Sequence, residues 1–103
     1  MPALEYDTLS LTDAVVGRLA DCRDERFKQV MTSLIQHLHQ FARDVDLKAP
    51  EWFAAIEFLT ACGKACDEKR QEFILLSDTL GLSMLVVALE HARALNGRQG
   101  ATP

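Results

Sequence analysis

The chain has 103 residues, 49% of them hydrophobic, which suits one small domain whose core needs no disulfide or metal staple. Its 11 basic and 15 acidic side chains give a net charge of −4, which argues against a nucleic-acid partner, because phosphates call for a basic patch. No apolar run is long enough to span a bilayer, and MPALEYDTLS lacks the basic start and apolar stretch of a secretory leader. Three cysteines leave one unpaired in any intramolecular scheme, which fits a reducing cytoplasm better than secretion.

In chain order, residues 1–8 read as a flexible arm. Thr12 is placed to cap a helix through about Cys22, with Leu11, Ala14, Val15 and Leu19 on its apolar side and Gly17 as its weak point. Asp24 opens the strongest helix, to about Val45. Along it Phe27, Val30, Met31, Leu34, Ile35, Leu38, Phe41, Ala42 and Val45 recur at three- and four-residue spacing. A turn over 46–49 leads to Pro50, whose missing N–H costs nothing in the first turn of a helix. That third helix runs to about Ala65, with Trp52, Phe53, Ile56, Leu59 and Cys62 expected inward and Gly63 loosening its end. A fourth helix is predicted from Glu68 to Leu80, ended by Gly81. Ser83 then caps a fifth helix to about Leu95, which Asn96-Gly97 ends. Residues 9–97 form the helical domain, and 98–103 a polar tail or linker.

No period-two strand pattern and no internal repeat is present. The expected architecture is all-α, a small bundle of four to five helices. The apolar faces of the second and fifth helices exceed what so small a bundle can bury, which predicts an interface or an elongated apolar cavity.

Few residues carry obvious chemistry. His37 and His39 are two apart on a helix and diverge, whereas a helical metal pair wants a spacing of four, so they read as solvated or capping. His91 is alone, near a helix end. Cys62 and Cys66 have the spacing of half a metal site, but no second pair exists; two small buried apolar side chains are the better reading. Asp78 interrupts an apolar surface, after FILLS and before TLG. It reads either as a helix-end cap or as a carboxylate at the edge of an apolar pocket, able to accept a hydrogen bond from a substrate hydroxyl. No Ser-His-Asp pattern, phosphate loop, HExxH or clustered CxxC motif occurs, so no catalytic residue and no metal ligand is assigned within the chain.

The run CDEKRQEFILLSDTLGLSMLV nevertheless resembles the signature of the N-terminal helical domain of intradiol ring-cleavage dioxygenases, above all the hydroxyquinol 1,2-dioxygenase branch. The likeness extends back through EWFAAIEFLT and RFKQVMTSLIQHLHQFARDVDL to Arg18-Leu19-Ala20-Asp21-Cys22, with Cys62 as a departure and Cys66 in keeping. The resemblance implies a parent enzyme with Fe(III), held by two tyrosines and two histidines on a C-terminal β-sandwich. Such enzymes cleave a catechol-like ring beside its adjacent hydroxyls and insert both atoms of O2. This chain has one tyrosine, Tyr6, and stops near where relatives enter that catalytic domain, so it lacks the ligand set. It is either a fragment or a solitary relative.

The resemblance further implies a homodimer built through the helical domain, an apolar tunnel holding a phospholipid or fatty acid, and substrate contacts at Leu75 and Asp78. An aspartate at the second position is similar to the hydroxyquinol branch, whose substrate has a third hydroxyl to donate. The function expected is therefore a dimerisation and substrate-pocket domain. The rivals are a stand-alone helical protein that binds or transforms a phenolic or polyketide-like ligand, and a lipid-binding oligomerisation module.

Overall fold

A computed structural model describes residues 7–101, with side chains from 7 to 97. Of the arm expected at 1–8, residues 1–6 lie outside the described residues, as do 102 and 103 of the expected tail. The fold is all-α, as anticipated: α1 (Thr8–Gly17), α2 (Glu25–Val45), α3 (Ala49–Ala65), α4 (Glu72–Thr79) and α5 (Leu82–Ala101), with no strand among the described residues. The chain divides into two units, Met1–Glu51 and Trp52–Pro103.

In the first unit, α1 starts earlier than expected. Asp7, not Thr12, is the N-cap: its Oδ1 accepts from the amides of Leu9 at 3.1 Å and Ser10 at 3.4 Å, and its Oδ2 from the Ser10 hydroxyl at 2.8 Å. The Ser10 hydroxyl and then the two amides hold the Asp7 carboxyl below its ordinary value of 3.8. A depressed folded-state value means the cap's contribution is complete above 3.8 and is lost as pH falls through the lowered value. The Leu9 and Ser10 amide resonances are therefore expected to move together in an acid titration by NMR, with a midpoint below that of a free aspartate. A midpoint at the ordinary value would mean the cap is open in solution.

Thr12 lies inside α1 and is 5% exposed. Its hydroxyl is 3.1 Å from the Thr8 carbonyl, 2.7 Å from His39 Nδ1 and 3.0 Å from Arg43 Nη1. One hydroxyl has one proton and two lone pairs. All three contacts are satisfied together when Thr12 donates to Thr8 and His39 carries its proton on Nδ1. Arg43 Nη1 also donates to the Thr8 carbonyl at 3.2 Å, so a polar knot ties α1 to α2. Gly17 ends α1, and tight turns over 18–21 follow in place of the expected helix to Cys22.

The expected α2 is present. The Asp24 carboxylate accepts from the Phe27 amide at 3.0 Å, and Asp46 closes the helix in the left-handed region at φ 50°. Its half-buried stripe, Met31, Ile35, His39, Ala42 and Arg43, is the one that carries the knot to α1. A second stripe, Phe27, Val30, Leu34, Leu38, Phe41 and Val45, is open to solvent along the whole helix. In it Phe27 and Leu38, Val30 and Phe41, and Leu34 and Val45 are each eleven positions apart.

α3 begins at Ala49, in the last residues of the first unit, with Pro50 in its first turn, and continues past Gly63 to Ala65 in the second. A β-carbon on Gly63 would sit 3.8 Å from Phe73 Cζ, so the Phe73 ring rests against α3 there. Cys62, at 9% exposure, is buried as expected. Trp52, Phe53, Ile56 and Leu59 are not: they are exposed. Periodicity identifies which side of a helix is apolar; it does not supply the surface that covers it. Among the described residues only Thr12 and Cys62 are buried, so neither unit encloses an apolar core of its own.

The α4 start is also corrected. The Asp67 carboxylate accepts from the amides of Lys69 and Arg70, each at 2.8 Å, and its own amide donates to the Arg70 carbonyl at 2.9 Å. This Asx-type turn offers the backbone an alternative to helix, so α4 waits until Glu72, with Gln71 as its cap. Ser83 is not the cap of α5, which begins at Leu82, and the helix runs through Asn96-Gly97 to Ala101. A glycine with no left-handed turn to make costs a helix only about 1 kcal/mol. His91 is consequently mid-helix.

Candidate functional site

The α4–α5 joint is where polar chemistry meets apolar surface. Leu80 and Gly81 alone connect the two helices, whose axes differ in direction by 74°. Gly81 adopts φ 79°, a left-handed conformation that glycine reaches without a Cβ clash. Its amide donates to the Asp78 carbonyl at 3.1 Å, and its carbonyl accepts from the Leu85 amide at 3.0 Å, which closes one helix and opens the next. Across this bend the hydroxyls of Ser77 and Ser83 lie 2.7 Å apart and partly buried.

Leu75 and Asp78 are three apart on α4 and so share a face. Both are exposed, Leu75 at 53%. Asp78, Ser83, Met84 and Val87 line an open depression of about 270 Å3, which Leu75 does not line. The helix-end role goes to the backbone of Asp78. Among the described residues its carboxylate accepts no hydrogen bond, which leaves all its acceptor sites to water or a ligand. Larger hollows lie along α2 and α3, but each is lined by side chains of a single helix, as the furrow between side-chain rows always is.

The apolar surroundings of Asp78 were visible in the sequence; the Ser77–Ser83 contact was not. Its only signal was a polar break at Ser77-Asp78, and Ser83 had an ordinary reading as a cap. The Thr12–His39–Arg43 knot was hidden in the same way.

The residues present do not fit a ferric site of two tyrosines and two histidines. His37 Nδ1 is 2.8 Å from the Ser33 carbonyl, and His39 Nδ1 is held by Thr12. Among the described residues no group of three His, Cys, Asp or Glu side chains could hold a metal ion. The Cys66 thiol has one proton to share between the Cys62 carbonyl at 3.3 Å and Gln71 Oε1 at 3.5 Å. No single described helix is long and apolar enough to cross a membrane; α4 and α5 reach that measure only when counted together across their bend.

Residues 24–97 match the family model described as Catechol dioxygenase N terminus. The chain belongs to that family, the N-terminal helical domain of intradiol dioxygenases, and its likeness falls in the hydroxyquinol branch.

It is 60% identical over 89 residues, 86% of this chain and 32% of the relative, to 6-chlorohydroxyquinol 1,2-dioxygenase of Cupriavidus pinatubonensis. It is 51% identical over 82 residues, 80% of this chain and 27% of the relative, to hydroxyquinol 1,2-dioxygenase of Corynebacterium glutamicum. A crystal structure of hydroxyquinol 1,2-dioxygenase from Pseudomonas putida DLL-E4 superposes with a TM-score of 0.79 at 52% identity, covering 82% of this chain and 30% of that one. The chain thus spans about a third of the length of the relatives it matches.

Proposed function

We propose that this chain is the dimerisation and substrate-pocket part of an intradiol dioxygenase that acts on hydroxyquinol in preference to catechol. The observation that carries the reading is the Asp78 carboxylate, exposed and without a hydrogen-bond partner among the described residues, on a shelf shared with Met84 and Val87. An ionised carboxylate only accepts. It suits a ring that presents one more hydroxyl than catechol has, while the apolar surface of Met84 and Val87 in the depression, with Leu75 next to it on the same face of α4, suits the ring itself. Ring opening belongs to an Fe(III)-bearing β-sandwich domain, whose ligands this chain does not supply. The uncovered faces of α2 and α5 are the surfaces for a second copy and for the acyl chains of a phospholipid or fatty acid.

The test is a chimera in which this chain replaces the matching first third of the Cupriavidus pinatubonensis enzyme, followed by the absorbance of the cleaved ring. Turnover with a higher kcat/KM for hydroxyquinol than for catechol is expected. An iron-loaded chimera that prefers catechol, or turns over neither, would overturn the reading. If in addition the chain alone bound hydroxyquinol, it would be a phenol-binding protein in its own right.

A further inference from the structure

Asp78 is useful to a phenol only if its carboxylate is held in one place, and the local backbone does not do that unaided. α4 has eight residues, and its connection to α5 is Leu80 and a left-handed Gly81. A glycine joint is permissive: few steric contacts fix the angle between the helices it joins. The apolar side chains at the joint give little help, since Leu80, Leu82 and Met84 are all exposed and Leu76 is only half-buried. Among the described residues the one side-chain hydrogen bond across the bend joins Ser77 Oγ and Ser83 Oγ, at 2.7 Å. Ser77 immediately precedes Asp78 on α4, and Ser83 lines the same depression as Asp78 from α5. A hydroxyl has one donor and two acceptor positions, so one serine donates to the other while both remain satisfiable.

We infer that the Ser77–Ser83 hydroxyl pair is a latch across the α4–α5 bend that positions the Asp78 carboxylate and thereby sets the selectivity between phenols with and without a third hydroxyl. Ser77 does not line the depression, and the Ser83 hydroxyl that does is engaged with Ser77, so both act through Asp78. The inference rests on the reading of Asp78 as a phenol contact, and it goes beyond it by naming what holds that contact in place. Its signature is asymmetric. Catechol makes no demand on the Asp78 carboxylate, so loosening the latch leaves catechol turnover alone and raises KM for hydroxyquinol.

The experiment compares Ser83→Ala, Ser77→Ala, the double variant, Ser83→Thr and Asp78→Ala in the chimera, each with both phenols. One neutral hydrogen bond translates into a fall of about three- to tenfold in the hydroxyquinol-to-catechol ratio of kcat/KM for either single serine variant. The double variant is expected to be no worse than the singles, because the two hydroxyls form one bond. Ser83→Thr, which keeps the hydroxyl, is expected to restore the ratio. If Asp78→Ala collapses the ratio and the serine variants leave it unchanged, the latch is overturned and the Asp78 reading stands. An equal loss for both phenols in the serine variants would make the pair merely structural and overturn the latch. If Asp78→Ala leaves the ratio unchanged, the pocket reading falls and takes the latch with it.

Discussion

If the proposed pocket role holds, replacing Asp78 by alanine in the chimera is expected to lower that enzyme's preference for hydroxyquinol over catechol by about 10- to 100-fold, almost all of it through hydroxyquinol. The magnitude follows from the partner's charge. A hydrogen bond to an ionised group contributes about 1.5–3 kcal/mol, roughly twice a neutral one, because the acceptor carries a full charge. Removing the carboxylate also leaves the third hydroxyl of the bound ring unpaired beside Met84 and Val87, and an unmatched hydroxyl on an apolar shelf adds to the penalty. Catechol has nothing to donate there, so its kcat/KM should stay within about twofold, a change of about 0.4 kcal/mol. Asp78→Asn keeps the shape and an acceptor oxygen but not the charge, and should fall between the two. Asp67→Asn is the control, since that carboxylate is occupied by the Lys69 and Arg70 amides in the turn before α4. Steady-state kinetics with both phenols decides it; an unchanged ratio in Asp78→Ala sinks the assignment.

A second large effect is expected on α2. Leu34 and Leu38 are each just over half exposed, in the centre of a stripe that runs from Phe27 to Val45. Eighteen residues separate its ends, a length of about 27 Å at the rise of an α-helix. Exposed apolar surface on that scale marks an interaction site. Changing Leu34 and Leu38 together to glutamate should hardly alter helicity by circular dichroism, because those side chains already meet water. Self-association should fall by more than about 100-fold. Covering the exposed half of each leucine contributes about 1 kcal/mol, and placing two unpaired carboxylates in an apolar contact costs several more. Sedimentation velocity across a concentration series measures it. Gln36→Glu, on the polar side of the same helix, is the comparison that adds charge without touching the stripe. Unaltered association in the double variant would show that α2 does not make the contact.

How much of this could be read from residues alone depended on whether the cause was local. The span of α2 was legible because its cap, its apolar period and its end are all encoded locally, whereas the roles of His39 and Arg43, read as solvated, were not. The α3 start followed from Pro50 for the same reason. α4 was misjudged because the Asp67 side chain competes with the helix for its own backbone, and a charged run such as DEKR looks helical by propensity. Thr12 and Ser83 both matched the composition of a cap. Each instead reaches a residue that folding brings near, His39 and Arg43 in one case and Ser77 in the other. The apolar positions of α3 were identified correctly as apolar and wrongly as inward, since a helix's period marks its apolar side and says nothing of what covers it. At the site, Asp78 stood out by contrast with its neighbours, whereas the serine pair depends on a bend angle that no spacing rule contains.

The eleven-residue spacing along the open stripe of α2 constrains what can lie on it. Seven-residue patterns recur every 3.5 residues, lag behind the helix, and force paired helices into a left-handed supercoil. Eleven-residue patterns recur every 3.67 residues and drift slightly the other way. A helix laid along Phe27, Leu34, Leu38 and Val45 would therefore keep contact with only a slight right-handed wind, opposite in hand to that of a heptad zipper.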